Sequence, residues 1–154
     1  SEHASMKVFD LIGYAITASS PNEAKPNQFF LSKDKVVINR DRQLTTAIEL
    51  LNNIESNYIK PSEPTFRLGG SSVKDKMFEK LEKLYSEKKI MDHSLEVGKQ
   101  IAFVLSGGDT NMNSDLTEDD LYNLELEAFM RLIQMPKTQE RIKHTLETGK
   151  PLVN

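Results

Sequence analysis

The stretch whose residue types and spacing come nearest to a chemical site is DTNMNSDLTEDD, Asp109 to Asp120. Asp109, Asn111, Asn113, Asp115 and Asp120 fall at the ligand spacings of a calcium loop between two helices, and Leu116 stands where such loops carry an aliphatic residue. Three features depart from that pattern. Ser114 holds the turn position that needs glycine, Asp120 is shorter than the closing bidentate glutamate, and Gly107-Gly108 ends the incoming helix before the first ligand. An acidic loop running into a helix N-cap is the preferred reading. Gly69-Gly70 in RLGGSS suggests a backbone that approaches a phosphate, but the lysine and spacing of a P-loop are missing. His93 is expected in a first helical turn, where a charged imidazole opposes the helix dipole, so it reads as a neutral structural or exposed residue. His144 has no second histidine at i+4, and His3 lies in an N-terminal stretch expected to be solvent-exposed. With no cysteine, thiol catalysis and thiolate metal sites are excluded. No nucleophile sits beside a plausible base, and no glycine-rich strand-to-helix dinucleotide turn occurs, so no catalytic, cofactor-binding or metal residue is assigned.

The elements that carry these residues read as helices. Thr117 is a good N-cap, and Glu118, Asp119 and Asp120 put negative charge on the first turn. Leu121, Leu124, Ala128 and Leu132 recur at helical spacing, and Tyr122, Leu126, Phe129, Met130 and Ile133 widen that stripe. Such a helix is expected to be central. Pro136 closes it, and a second helix over about Lys137 to Thr148 carries Ile142 and Leu146 inward and ends at Gly149 before Pro151.

Earlier in the chain, Lys7 to Ala18 predicts a buried helix, with Gly13 marking a close backbone approach. Ser20 caps a short helix with Pro21 at its first position. Val36 to Ile38 has strand character without a second strand to pair with. Asn39 or Asp41 caps a helix over about Arg42 to Tyr58, with Leu44, Ile48, Leu51 and Ile54 along one face. Lys60 to Gly70 holds Pro61, Pro64, Gly69 and Gly70 and reads as a linker. Ser71 or Ser72 caps the next helix, striped by Val73, Met77, Leu81 and Leu84, and Asp92 caps the one containing Ile101 to Leu105. The fold class expected is all-α: six or seven helices with at most one short extended segment.

The chain has 154 residues, 38% of them hydrophobic, enough for one ordinary core. Twenty basic and twenty-three acidic residues give a net charge of -3, so no basic field points to nucleic acid or an anionic membrane surface. No apolar run reaches the length of a membrane span, and the expected location is the cytoplasm.

Two runs are more specific than composition. GKQIAFVLSGGD (Gly98 to Asp109) and the segment from Leu116 to Asn154 resemble the C-terminal end of bacterial 3-hydroxyacyl-CoA dehydrogenases that carry a fused enoyl-CoA hydratase/isomerase-like (crotonase-like) region. That family ends in a close relative of LEREAF followed by KTQERIQHMLKTGKPLRN. Leu124, Glu125, Glu127, Ala128, Phe129, Lys137 to Ile142, His144, Leu146 and Thr148 to Leu152 stand in the matching places. Upstream, KVFDLIGYAITASSPNEA and VVINRDRQL resemble the end of the crotonase-like portion. Leu126 replaces the usual arginine, and the loop Thr110 to Ser114 differs.

Residues 1–6, SEHAS before a methionine, read as an appended remnant; the resemblance implies that 7–60 is the tail of a crotonase-like region and 61–154 a C-terminal helical domain. It implies a parent enzyme of fatty-acid β-oxidation that binds NAD and an acyl-CoA substrate. The family's dinucleotide loop and catalytic positions would lie outside this segment, which is expected to hold no cofactor and to be inactive alone. Its expected partners are the remainder of the parent polypeptide and a second copy, the latter through Val8 to Ile16 or Leu44 to Tyr58. The alternative is a free-standing helical binding module with a calcium loop at 109–120.

Overall fold

A computed structural model describes residues 2–54, 58–109 and 114–154. Among them are seven α-helices and two two-residue strands, which agrees with the all-α expectation. The chain forms two compact units, Ser1–Ile16 with Pro64–Asn154, and Thr17–Glu63.

The core of the first unit is made by α1 (Glu2–Gly13), α4 (Gly70–Ser86) and α5 (Asp92–Ser106). Phe9, Val73, Met77, Leu81, Leu95 and Ala102 are buried together, with Met6, Phe78, Ile90, Ile101 and Leu105 against them. The stripe Val73, Met77, Leu81 follows helical periodicity, so one face of α4 turns inward and its mixed charges stay in water. Gly98 lets α5 approach α4 closely: a Cβ there would lie 2.5 Å from Leu81 Cδ2.

Several expectations are corrected here. Helix α1 begins at Glu2 rather than Lys7: Met6 packs on the core, and Glu2 pairs with Lys76 at 2.6 Å. The helix stops at Gly13 rather than Ala18, because Ala15 turns left-handed (φ 50) and the Ile16 N–H closes on the Leu11 carbonyl at 2.8 Å. A Cβ added at Gly13 would meet nothing within 4 Å, so no close backbone approach is made there. Neither Ser71 nor Ser72 caps α4: its N-cap is Gly69, and Gly70 takes φ 60. Met91 is the N-cap of α5, and Asp92 its first residue.

Between the helices, β1 (Thr65–Phe66) and β2 (Leu116–Thr117) pair antiparallel, Thr65 with Thr117 and Phe66 with Leu116. β2 leads into α6 (Glu118–Ile133), which Thr117 caps as expected, with Asp120 reaching back to complete a capping box. Pro136 opens α7 (Pro136–Thr148), and Gly149 closes it at φ 68.

The larger correction concerns α6, which is peripheral. Only Ala128 is buried, while Tyr122, Leu126, Phe129 and Met130 are 58%, 59%, 50% and 49% exposed. Ile142 and Leu146 of α7 likewise face outward, Leu146 at 82% exposure. A helix apolar on most of its circumference needs neighbours on more than one side, and within this unit α6 contacts α5 and α7.

In the second unit, Ser20 caps α2 (Pro21–Ala24) as read, and Glu23 accepts from the Ser19 N–H at 2.9 Å and the Ser19 hydroxyl at 2.8 Å. Asn39 caps a 3-10 turn, Arg40–Arg42, that runs into α3 (Gln43–Ile54). No residue of α3 is buried. Val36 to Ile38 joins no ladder among the described residues, and Ile38 is 96% exposed. The family-based division 7–60 and 61–154 runs along the sequence, whereas packing places α1 with residues 64–154 because Phe9 fills the α4–α5 core.

Candidate functional site

The acidic loop is held by cations and by a cap. Asp109 pairs with Lys74 of α4. Asp115 accepts from Arg67 Nε at 2.5 Å and from Nη2 at 3.2 Å. Asp120 accepts from the Thr117 N–H at 2.8 Å and hydroxyl at 2.7 Å. Each carboxyl is held below its usual range, chiefly by the hydrogen bond from Lys74, Arg67 and the Thr117 backbone respectively. The candidate ligands Asn111 and Asn113 lie outside the described residues. The described ones point to Lys74 of α4, to Arg67 just after β1, and to a cap, which suits the acidic-loop reading. No cluster of three or more metal-ligating His, Cys, Asp or Glu occurs among the described residues.

Gly69 and Gly70 have a packing role instead of a phosphate role. A Cβ on Gly69 would lie 2.1 Å from Val73 Cγ2, and Gly70 needs its positive φ to start α4. Because β1 pairs antiparallel with β2 just before this turn, no strand–glycine–helix unit of the dinucleotide type is built. That turn does not offer the dinucleotide-binding geometry.

The most connected polar group lies between α5 and α7. His93, in the first turn of α5, is buried, and its Nε2 is 2.8 Å from Thr138 Oγ1 of α7. Burial lowers its pKa first, and the positive charges of Arg141 and Lys137 lower it further, against Glu96 and Glu140. Buried and hydrogen-bonded to Thr138, it is a structural histidine whose charged form burial disfavours. Arg141 donates to Ser94 Oγ at 3.0 Å, to Asn154 Oδ1 at 2.8 Å and to the Asn154 main-chain oxygen at 3.2 Å. Asn154 in turn donates to Glu140 Oε2 at 2.9 Å. These contacts fold PLVN back along α7. Beside them Tyr85 donates to Asp92 Oδ1 at 3.0 Å, with Lys137 Nζ 4.0 Å from the other carboxylate oxygen.

Arg141 also borders a cleft of about 150 Å³ among α1, α4 and α5. Phe9, Leu81, Leu84, Val97 and Ile101 make it apolar, and Lys80, paired with Asp10, stands at its edge. It suits a group of a few carbon atoms. Among its lining residues no nucleophile stands beside a base.

The Arg141–Ser94–Asn154 clamp was not anticipated from sequence. Periodicity assigns Arg141 only to the face of a helix, and a bond spanning thirteen residues to Asn154 has no local signature. The signal that contains it is the family-like run itself, which includes both Arg141 and the PLVN end.

No family profile matches the chain, and no solved structure does. It is 28% identical over 153 residues to a Bacillus subtilis (strain 168) protein named "Probable 3-hydroxyacyl-CoA dehydrogenase". The match covers 99% of this chain and 19% of that protein, so the chain spans about a fifth of its relative's length. At 99% coverage the match extends into Glu2 to Met6, the stretch read as a remnant and seen here as the start of α1. Over nearly its whole length, this chain is homologous to one segment of a 3-hydroxyacyl-CoA dehydrogenase.

Proposed function

We propose that this chain is the C-terminal helical accessory segment of a cytoplasmic fatty-acid β-oxidation enzyme, an NAD-dependent 3-hydroxyacyl-CoA dehydrogenase with a crotonase-like region. In this reading it supplies packing and subunit contacts and does no chemistry of its own. The observation that carries it is the match of 99% of this chain to only 19% of the relative. A second observation supports it: α3 buries no residue and α6 only Ala128, although both carry many large apolar side chains. Faces of that kind are covered in a stable assembly. NAD and the acyl-CoA would be bound by the rest of the parent polypeptide, since the described residues form no dinucleotide turn.

The test compares the full-length parent, the parent lacking this segment, and the 154-residue chain. NAD reduction with 3-hydroxybutyryl-CoA and hydration of crotonyl-CoA are measured for each. The isolated chain is expected to turn over neither substrate, and the truncated parent to lose its native assembly. A truncated parent with full activity and unchanged size would overturn the accessory role. Turnover by the isolated chain, abolished by a substitution within it, would overturn the non-catalytic reading.

A further inference from the structure

Two exposed helical faces on different units match in spacing and oppose in charge. On the Arg40–Arg42 turn and α3, Arg40, Leu44, Ile48 and Leu51 follow one another at intervals of four, four and three residues. Glu118, Tyr122, Leu126 and Phe129 of α6 follow at the same intervals. Leu44, Ile48 and Leu51 are 73%, 50% and 60% exposed, comparable to the α6 stripe.

We propose that α3 of one copy docks on α6 of a second copy, the two stripes running parallel with Arg40 beside Glu118. This deepens the association reading above by naming the mating faces. Intervals of four and three residues keep each apolar stripe on one helical face, so the side chains of one stripe can fit between those of the facing one. A twelve-residue helix with no buried side chain is marginal in water, so α3 gains most from being covered.

Charge sets the direction. Parallel alignment brings Arg40 to the α6 first turn, where Glu118, Asp119 and Asp120 cluster. Glu118 accepts only a 3.3 Å hydrogen bond from Tyr122 among the described residues, and neither Arg40 nor Glu118 has an ion pair there. Antiparallel alignment would bring Arg40 toward Arg131, in the last turn of α6. A two-fold dimer makes the contact twice, because each copy offers one α3 and one α6.

The absence of native cysteine makes the test direct. Ile48→Cys and Leu126→Cys variants of the whole chain are mixed and oxidised, and the doubly substituted chain is oxidised separately. The proposal expects a mixed disulfide of dimer mass in excess over either self-pair. It also expects Arg40→Glu to weaken dimerisation about fivefold, with recovery when combined with Glu118→Arg. Circular dichroism of each variant verifies folding. A monomer-mass disulfide in the double variant without mixed product would place α3 on α6 of its own chain and overturn the proposal. Predominant Ile48→Cys self-pairs, or no cross-link, would overturn it as well. A failed cross-link leaves the accessory reading standing, because that reading is tested by turnover and size of the full-length parent.

Discussion

Arg67 and Asp115 face each other one step beyond the last paired residues of the β1–β2 ladder, joined by two hydrogen bonds of 2.5 and 3.2 Å. The ladder pairs Phe66 with Leu116, so continuing its register by one residue brings this guanidinium to this carboxylate. A planar fork is the geometry in which arginine holds a carboxylate with both oxygens.

Arg67→Ala is expected to loosen the ladder and spare the helices. Both side chains are exposed, so solvent and salt screen the pair and the effect on global stability is small. Hydrogen exchange should quicken at Phe66 and Leu116 while helical circular dichroism is unchanged. Equal exchange in variant and parent at low salt would show that the fork does not hold the strands.

The core assignment is tested by contrasting α4 with α6. Met77 is fully buried, and Met77→Ala should cost about 2–5 kcal/mol. Leu126 is 59% exposed, and Leu126→Ala should stay within about 0.5 kcal/mol at concentrations where the chain is monomeric. Urea unfolding of both variants reads this out, and the reverse order would restore α6 as the central helix.

Gly98→Ala should destabilise by about 1–3 kcal/mol, because the added methyl would meet the Leu81 side chain in a filled core. The clash has one main partner. Combined with Leu81→Ala, the two changes should therefore cost less than their sum, which a double-mutant cycle measures. Strict additivity would place the strain elsewhere.

His93 makes stability depend on pH. Its folded pKa lies below the value near 6.5 of the unfolded chain, so on acidification the unfolded state takes up the proton first. This contribution is therefore complete above about pH 6.5, shrinks as the pH falls below it, and levels off below the folded pKa. His93→Gln, which keeps a hydrogen-bonding group near Thr138, should flatten the stability profile between about pH 7.5 and 5. An unchanged slope in the variant would assign the dependence to other groups.

Calcium separates the two readings of residues 109–120. Added calcium is expected to leave the melting temperature unchanged at micromolar concentrations, since Asp109, Asp115 and Asp120 are engaged by Lys74, Arg67 and Thr117. Stabilisation that disappears in Asp109→Ala would establish a calcium loop instead.

Local chemistry was legible in the sequence where it is decided locally. The Thr117 cap, the Ser20 cap and the Gly149 stop each depend on residues within a turn of one another, and each stands where the sequence places it. The buried stripe of α4 was legible too, because apolar residues on one face of a charged helix leave a single solution. His93 was read as neutral from its place in a first turn, although its partner Thr138 comes from another helix.

What only the tertiary structure decided is which apolar face finds a neighbour. The densely apolar sequence of α6 states that its side chains favour burial, but burial depends on what packs there, and α4 and α5 win the core through Gly98 and Phe9. Caps were misplaced at Ser71, Ser72 and Asp92 for a related reason. Several polar residues near a helix start can each serve, and a positive-φ Gly70 or a bond from Tyr85 to Asp92 settles the choice. The Arg141 clamp and the Arg67–Asp115 fork join residues thirteen and forty-eight positions apart. Such pairs arise only when the chain folds back, because proximity across that distance is a property of the assembled helices.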